Sequence, residues 1–222
     1  MESNLAKYNA NVETINIREG KGYLFVKRLI DILGSIVGLI VLSPVFLLVG
    51  IAIKIEDPKG NILFGHKRVG KDGKLFSCWK FRSMFANAEQ MLETLSPEQK
   101  KEYAETFKLQ NDPRVTKVGK FIRNTSLDEL PQLFNILMGE MTIVGPRPIV
   151  TKELDFYGVH QDVYKAVQPG LTGLWQVSGR SDTSYDERVK FDLEYVATRN
   201  TFRDIYIMLM TVVKVIKREG AC

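Results

Sequence analysis

Cysteine and histidine are both scarce. The 222 residues hold two of each, Cys78 and Cys222, His66 and His160. Two cysteines this far apart provide neither a disulfide framework nor a thiolate cluster, which suits a reducing compartment. Two widely separated histidines do not make a zinc site. Internal repeats and low-complexity tracts are also missing, which removes solenoid arrays from consideration. No helix-turn-helix spacing, zinc-ligand pattern or aromatic-basic RNA motif occurs, so nothing points to nucleic acid as a partner. Acids are the minority charge: 26 Asp and Glu stand against 31 Lys and Arg, for a formal net charge of +5 and a pI near 9.1. That balance suits a phosphate-rich partner, whether an anionic membrane surface or a phosphorylated small molecule. Hydrophobic residues make up 45%, enough for one main core.

What the chain does have is one long uncharged run. Between Asp31 and Lys54 lies ILGSIVGLIVLSPVFLLVGIAI, long enough as a helix to cross a hydrocarbon layer of about 30 Å. It is too long for a cleavable signal peptide, and no small-residue cleavage site follows it. Ser43 and Pro44 sit at its centre, where proline removes the hydrogen bond to the carbonyl of Ile40 and bends the helix. Both flanks are basic, with Lys21, Lys27 and Arg28 before the run and Lys54, Lys59, Lys67 and Arg68 after it. The positive-inside tendency then places both ends on the cytosolic side. These features predict a re-entrant helix-break-helix, with arms of about 11 and about 9 residues that each reach half the bilayer depth. A plain transmembrane helix is the alternative. Ser43 is positioned to satisfy backbone groups freed at the bend. Gly34 and Gly38 form a weak GxxxG spacing, which serves close packing in the hairpin or a homodimer.

Beyond the polar exit turn EDPKG, residues 56–60, the runs NILFGHKR and KLFSCWKFRSM read as strands around the hairpin signal Asp72-Gly73. Arg68, Lys80 and Arg82 decorate this hairpin. Residues 85–108 read as helical, with a new helix starting at Pro97. Residues 149–165 read as short helices, 169–180 as an irregular glycine-rich loop, and 184–218 as two further helices. The last of these has a large apolar face, for a core or for the plane of a bilayer. The first 20 residues read as a loosely held tail.

The segment RNTSLDELPQLFNILMGEMTIVGPRP, residues 123–148, places Asp128 and Glu129 between Arg123 and the turn bearing Arg147. Ser126 with Glu129 fits a capping box, which needs no further function. Pro131 offers another register, in which it opens the helix and the acids lie just ahead. In either register the acids face the positive end of a helix, a place that favours carboxylate and phosphate alike. An ionised Asp can attack phosphorus, a neighbouring Glu can help hold Mg2+, and the surrounding bases would neutralise a diphosphate. Capping with surface salt bridges is the competing reading.

Together with KRLIDILGSIVGLIVLSPVF, the KFRSM strand and QPGLTGLWQVSGR, the string SLDELPQLFNILMGEMTIVGPRP resembles the monotopic phosphoglycosyl transferases, or bacterial sugar transferases. The likeness runs from about Lys27 to Lys217, through four motifs in the family's order. It resembles the catalytic unit alone, since no second apolar run of comparable length occurs. The resemblance implies a mainly α fold with a small β-hairpin: a tail over 1–22, a re-entrant membrane hairpin over 23–55 that breaks at Ser43 and Pro44, and a cytosolic α/β catalytic domain with interfacial helices over 56–222. It implies transfer of a sugar-1-phosphate from a UDP-sugar to polyprenyl phosphate, with release of UMP. Asp128 would be the nucleophile, and Asp128 and Glu129 together the Mg2+ pair. Arg123 and Arg147 would grip phosphate. Lys80, Arg82 and Arg180 are further substrate-binding candidates, although bases near a membrane also attract lipid headgroups. Trp175 reads as a core residue or a stacking surface. The implied place is the bacterial inner membrane, cytosolic face, with galactose or glucose as the favoured sugars. A non-catalytic assembly scaffold and a direct glycosyltransferase releasing UDP are the competing functions.

Overall fold

In the computed structural model the described residues are 17, 20–106, 109, 111–178 and 184–217. The apolar run forms two helices, α1 (Lys21–Val41) and α2 (Ser43–Glu56), bent by 59° at Leu42. The cause is local and as expected. Pro44 lies in the first turn of α2, and the Ser43 hydroxyl donates to the Ile40 carbonyl at 2.7 Å, supplying the bond that proline removes. Among the described residues no single helix is long and apolar enough to cross a membrane, whereas the bent pair passes that test together.

The arms differ from the expected lengths. α1 extends a full ten residues before Asp31 because its polar residues are docking groups. Lys27 Nζ donates to the Val144 carbonyl at 2.7 Å and pairs with Asp204 at 2.9 Å. Arg28 donates to the carbonyls of Ile136 and Leu137 at 2.7 and 2.9 Å. Asp31 Oδ1 accepts from the Thr142 hydroxyl and the Ile143 amide. The glycine spacing serves the same junction. A Cβ on Gly34 would stand 2.9 Å from Ile143 Cδ1, and one on Gly38 would stand 3.1 Å from Leu133 Cδ1. The GxxxG face therefore packs on the rest of the chain, not within the bent pair. The outer faces stay apolar and exposed at Phe25, Ile40, Val41, Leu47, Leu48 and Ile55.

Strands β1 (Leu63–Val69) and β2 (Leu75–Phe81) form the expected antiparallel hairpin, with Leu63 opposite Phe81 and Val69 opposite Leu75. Asp72 and Gly73 both take positive φ, 57° and 73°, as this pair readily does. The helix predicted across 85–108 is shorter: α3 is Pro97–Thr106, with Ser96 and Gln99 capping each other's backbone amides. Residues 85–95 form turns and one short 3-10 stretch instead.

Then follow α4 (Lys117–Asn124), a 3-10 turn at Leu127–Glu129, α5 (Gln132–Met138), β3 (Thr142–Val144) and a long 3-10 segment over Thr151–His160. Helix α6 (Gln161–Lys165), β4 (Gly170–Thr172), α7 (Leu174–Ser178), α8 (Tyr185–Thr198) and α9 (Thr201–Ile216) complete the order. The glycine-rich stretch is thus more regular than an irregular loop. β4 pairs in parallel with β3, Thr142 opposite Gly170 and Val144 opposite Thr172, so a second two-stranded sheet joins the hairpin. Helix α9 has one face in the core and an exposed apolar face opposite it. Ile207 and Asp204 are buried, while Phe202, Tyr206, Leu209 and Val212 are exposed.

Candidate active site

The acid pair sits where three elements meet. Leu127 and Leu130 pack against the cluster of Val49, Ile53, Phe81 and Ile122, so the turn carrying Asp128 and Glu129 shares a core with α2 of the bent pair. The predicted capping box does not form. Ser126 adopts φ 55° and its side chain caps nothing, because Pro131 precedes α5 and the helix starts only at Gln132. The acids therefore occupy a separate 3-10 turn just ahead of α5, the second of the two registers.

Lys80 reaches this turn by strand alternation. Phe76, Cys78 and Lys80 share one face of β2, and Asn135 fixes that strand to α5. Its Oδ1 accepts from the Trp79 amide at 3.0 Å, and its Nδ2 donates to the Ser77 carbonyl at 2.8 Å. Lys80 Nζ consequently lies 2.7 Å from Glu129 Oε1 and 3.7 Å from Asp128 Oδ2. The two acids are tuned apart. Burial pushes Asp128 above the usual aspartate range; Lys80 and Arg123 oppose that shift, and the charge of Glu129 adds to it. Burial acts on Glu129 too, but Lys80, Arg147 and Arg68 outweigh it and hold Glu129 below the usual glutamate range.

Arg123 approaches from α4. The Glu56 carboxylate at the end of α2 accepts from the amides of Lys117 and Val118 at 2.7 and 2.8 Å, anchoring the start of that helix. Gly119 permits an unusually close approach, since a Cβ there would lie 1.9 Å from the Ser83 carbonyl oxygen. Arg123 Nε then donates to the Ser83 hydroxyl at 2.8 Å. Arg147 comes from the opposite side, on a turn that needs glycine for contact. A Cβ on Gly145 or Gly170 would fall 2.7 Å from the Gln168 carbonyl or 2.1 Å from the Gly145 nitrogen. Tyr164 donates to the Arg147 carbonyl at 3.0 Å.

A small open cleft lies among these parts, with Lys80, Glu129, Gln132, Arg68, Arg147 and Gln176 among its lining. Asp128 is not among its lining residues and borders it through Lys80. Gln132, Arg68 and Gln176 are additions to the residues foreseen from sequence. Arg82 does not join the cleft: β2 ends at Phe81, and the Arg82 guanidinium is taken by the Asp57 carboxylate and carbonyl in the exit turn, the latter at 2.6 Å. Arg180 lies outside the described residues. Trp175 is half-buried, neither a core tryptophan nor a free one. Mg2+ ordinarily takes one or two carboxylates together with substrate phosphates and waters. Among the described residues no three His, Cys, Asp or Glu side chains converge. The adjacent pair, with Glu129 held ionised, therefore fits an ion shared with a bound diphosphate, and not an all-protein cage.

Comparison with known proteins agrees with this geometry. The family model described as bacterial sugar transferase matches residues 22–218. The chain is 50% identical over 200 residues to an undecaprenyl-phosphate galactose phosphotransferase of Salmonella typhimurium, covering 89% of this chain and 42% of that one. It is 46% identical over 224 residues to an uncharacterized sugar transferase of Haemophilus influenzae, covering 100% of this chain and 44% of the relative. Over 198 residues it is 46% identical to the exopolysaccharide production protein ExoY of Rhizobium meliloti, covering 88% and 87%. The chain thus spans less than half the length of the first two relatives and most of the third. With the acid pair, its cationic surround and the bent apolar pair all inside the matched residues, the chain belongs to the bacterial sugar transferase family.

Proposed function

We propose that the protein is a phosphoglycosyl transferase that moves a sugar-1-phosphate from a UDP-sugar to undecaprenyl phosphate and releases UMP. The observation that carries this reading is the Asp128–Glu129 pair, buried at Asp128 and half-buried at Glu129, tuned apart and bridged by Lys80. In the first half-reaction an Asp128 carboxylate oxygen bonds to the β-phosphorus. The phosphoanhydride bond to the α-phosphate breaks and UMP leaves with the electron pair. In the second, an oxygen of the lipid phosphate bonds to that phosphorus and the aspartyl ester bond breaks, returning the carboxylate. Atoms and charge balance without a redox partner.

Lys80 has a defined part in this scheme. It lies against both carboxylates, so an arriving diphosphate competes for its ammonium and uncovers Asp128 as it binds. Arg147 and Arg68 face the cleft and balance the diphosphate charge, while Arg123 flanks Asp128. Mg2+, held by Glu129 and Asp128 together with phosphate oxygens, would supply charge neutralisation and alignment. Burial of Asp128 keeps water from the carboxylate and from the ester it forms.

The bent pair supports a one-leaflet seating. Its exposed apolar faces suit hydrocarbon, its ends are basic, and the acid turn shares a core with α2, so a lipid phosphate at the interface meets a cytosolic nucleotide sugar at one place. The proposed place is the cytosolic face of the bacterial inner membrane, at the first membrane-bound step of exopolysaccharide or capsule assembly. The name of the Salmonella relative favours galactose as the sugar.

The test is intact-mass analysis of detergent-purified protein with Mg2+ and a panel of UDP-sugars, without lipid, while UMP and UDP are followed. A sugar-phosphate adduct with stoichiometric UMP, absent in Asp128→Asn, is expected. Release of UDP without an adduct once lipid is added would replace the scheme with direct glycosyl transfer.

A further inference from the structure

Beside Arg147 the structure holds a second arginine that the sequence does not advertise. Aromatic rings and guanidinium groups alternate along one line. Phe156 and Tyr185 have ring centroids 4.1 Å apart, the Arg188 guanidinium lies 4.7 Å from the Tyr185 centroid and 5.1 Å from that of Trp175, and Arg147 lies 5.6 Å from Trp175. Stacking fixes a guanidinium by its faces and leaves its N–H edge for hydrogen bonds. In Arg188 that edge has no partner: Nε and Nη2 are both buried and unbonded, as is the Trp175 indole N–H.

The buried carboxylate on the same helix feels both guanidiniums but makes no ion pair with either. Asp192, one turn further along α8, accepts at Oδ2 from the Tyr157 hydroxyl at 2.7 Å, and its Oδ1 has no hydrogen-bond partner. The ion pairs of the site involve Arg68 with Glu153 and Lys80 with the acid pair, so among the described residues Arg147 and Arg188 are in no ion pair. Two stacked guanidiniums in no ion pair, with buried unbonded N–H groups on Arg188 and Trp175, call for an acceptor-rich anion.

Arg147 lines the cleft, and Arg188 shares the Trp175 ring with it outside that lining, which indicates which anion. The acid turn shares a core with α2, but the core beneath Arg188 is built from Val69, Ile149, Tyr157, Tyr164, Val189 and Leu193, with no residue of the bent pair. Arg188 therefore stands at the end away from the apolar helices, where a water-soluble donor enters, and the lipid phosphate belongs at the other. Resting on the function proposed above, we infer that Arg188 is a donor-binding residue whose Nε/Nη2 edge, aligned by Trp175 with Arg147, takes phosphate oxygens of the nucleotide diphosphate.

The experiment is calorimetric titration of UDP into the full chain in detergent with Mg2+, for wild type, Arg188→Ala, Arg188→Lys and Trp175→Ala, with thermal midpoints recorded in parallel. A charge-assisted bidentate contact is worth about 10- to 100-fold in affinity. Arg188→Ala is expected to lose about that much and to show a shallower salt dependence, while Arg188→Lys recovers part of the affinity. Trp175→Ala is expected to weaken UDP through misalignment. UDP binding within twofold of wild type in both Arg188 variants would overturn the inference while leaving the function proposed above standing. Wild type that fails to bind UDP would overturn both. If Arg188→Ala does not fold, the comparison of Arg188→Lys with wild type decides alone: a lysine lacks the planar fork, so equal affinity there counts against the contact.

Discussion

At the scale of single residues, the proposed chemistry rests on two adjacent carboxylates in unlike surroundings. The raised position of Asp128 has a stability consequence whose sign is definite. An unfolded aspartate ionises more readily than this one, so ionised Asp128 costs the folded state above its raised folded pKa, and the cost disappears below the ordinary aspartate pKa. Asp128→Asn is therefore expected to abolish turnover while leaving the neutral-pH thermal midpoint unchanged or higher. A marked fall in that midpoint would show that the carboxylate is structural. Lys80→Met removes the cation that lowers both acids, so the acid limb of the pH–rate profile is expected to move to higher pH and kcat/KM to fall about 100-fold; an unmoved limb would refute the coupling. Asp192, pushed up to about 7 by burial, gives a third case. Relative to wild type, Asp192→Asn is expected to gain stability as pH rises from about 4 to about 7 and to hold that gain above 7, as measured by midpoints across the range.

At the scale of elements, legibility followed range. The break at Ser43-Pro44 could be read because all its causes lie within four residues: the missing amide, the orphaned Ile40 carbonyl and the hydroxyl that answers it. The hairpin was legible through Asp72-Gly73. The β3–β4 pairing was not, because two three-residue strands leave no periodicity and their partners meet only when Gly145 and Gly170 touch. Ser126 failed as a cap because Pro131 set the helix start, a competition between two valid local signals. Arg82 looked like a companion of Lys80, yet the strand ends between them. Arg188 was hidden because α8 reads as an ordinary solvated helix until Trp175 is brought beneath it. The bend itself is testable: with Cys222→Ser as background, cysteines at Gly22 and Lys59 are expected to be labelled from the cytosolic side alone, and opposite-side labelling of one of them would establish a span.

At the scale of the whole molecule, the question is how the apolar pair is joined to the rest. Lys27 and Asp204 are both nearly buried, and the pair reaches Val144 and Tyr195 as well. Removing one partner leaves an uncompensated buried charge, so Lys27→Met is expected to destabilise the protein by about 3–5 kcal/mol. The double variant Lys27→Met/Asp204→Met is expected to recover a good part of that, as read from a double-mutant cycle of unfolding in detergent. Additive losses would mean that the pair contributes nothing as a pair.

The glycine face of α1, pressed on Ile143 and Leu133, has a consequence for reach. An anchor attached through a flexible linker would let the catalytic body bob and hunt for its acceptor. An anchor bolted on through Gly34, Gly38, Lys27, Arg28 and Asp31 makes the molecule a depth gauge: seated in a leaflet as proposed, it holds Asp128 at one height and leaves the acceptor to come to that plane. Catalysis tolerates misplacement of only about 1 Å before rates fall steeply, so in that proposed seating bilayer thickness and headgroup packing become rate variables.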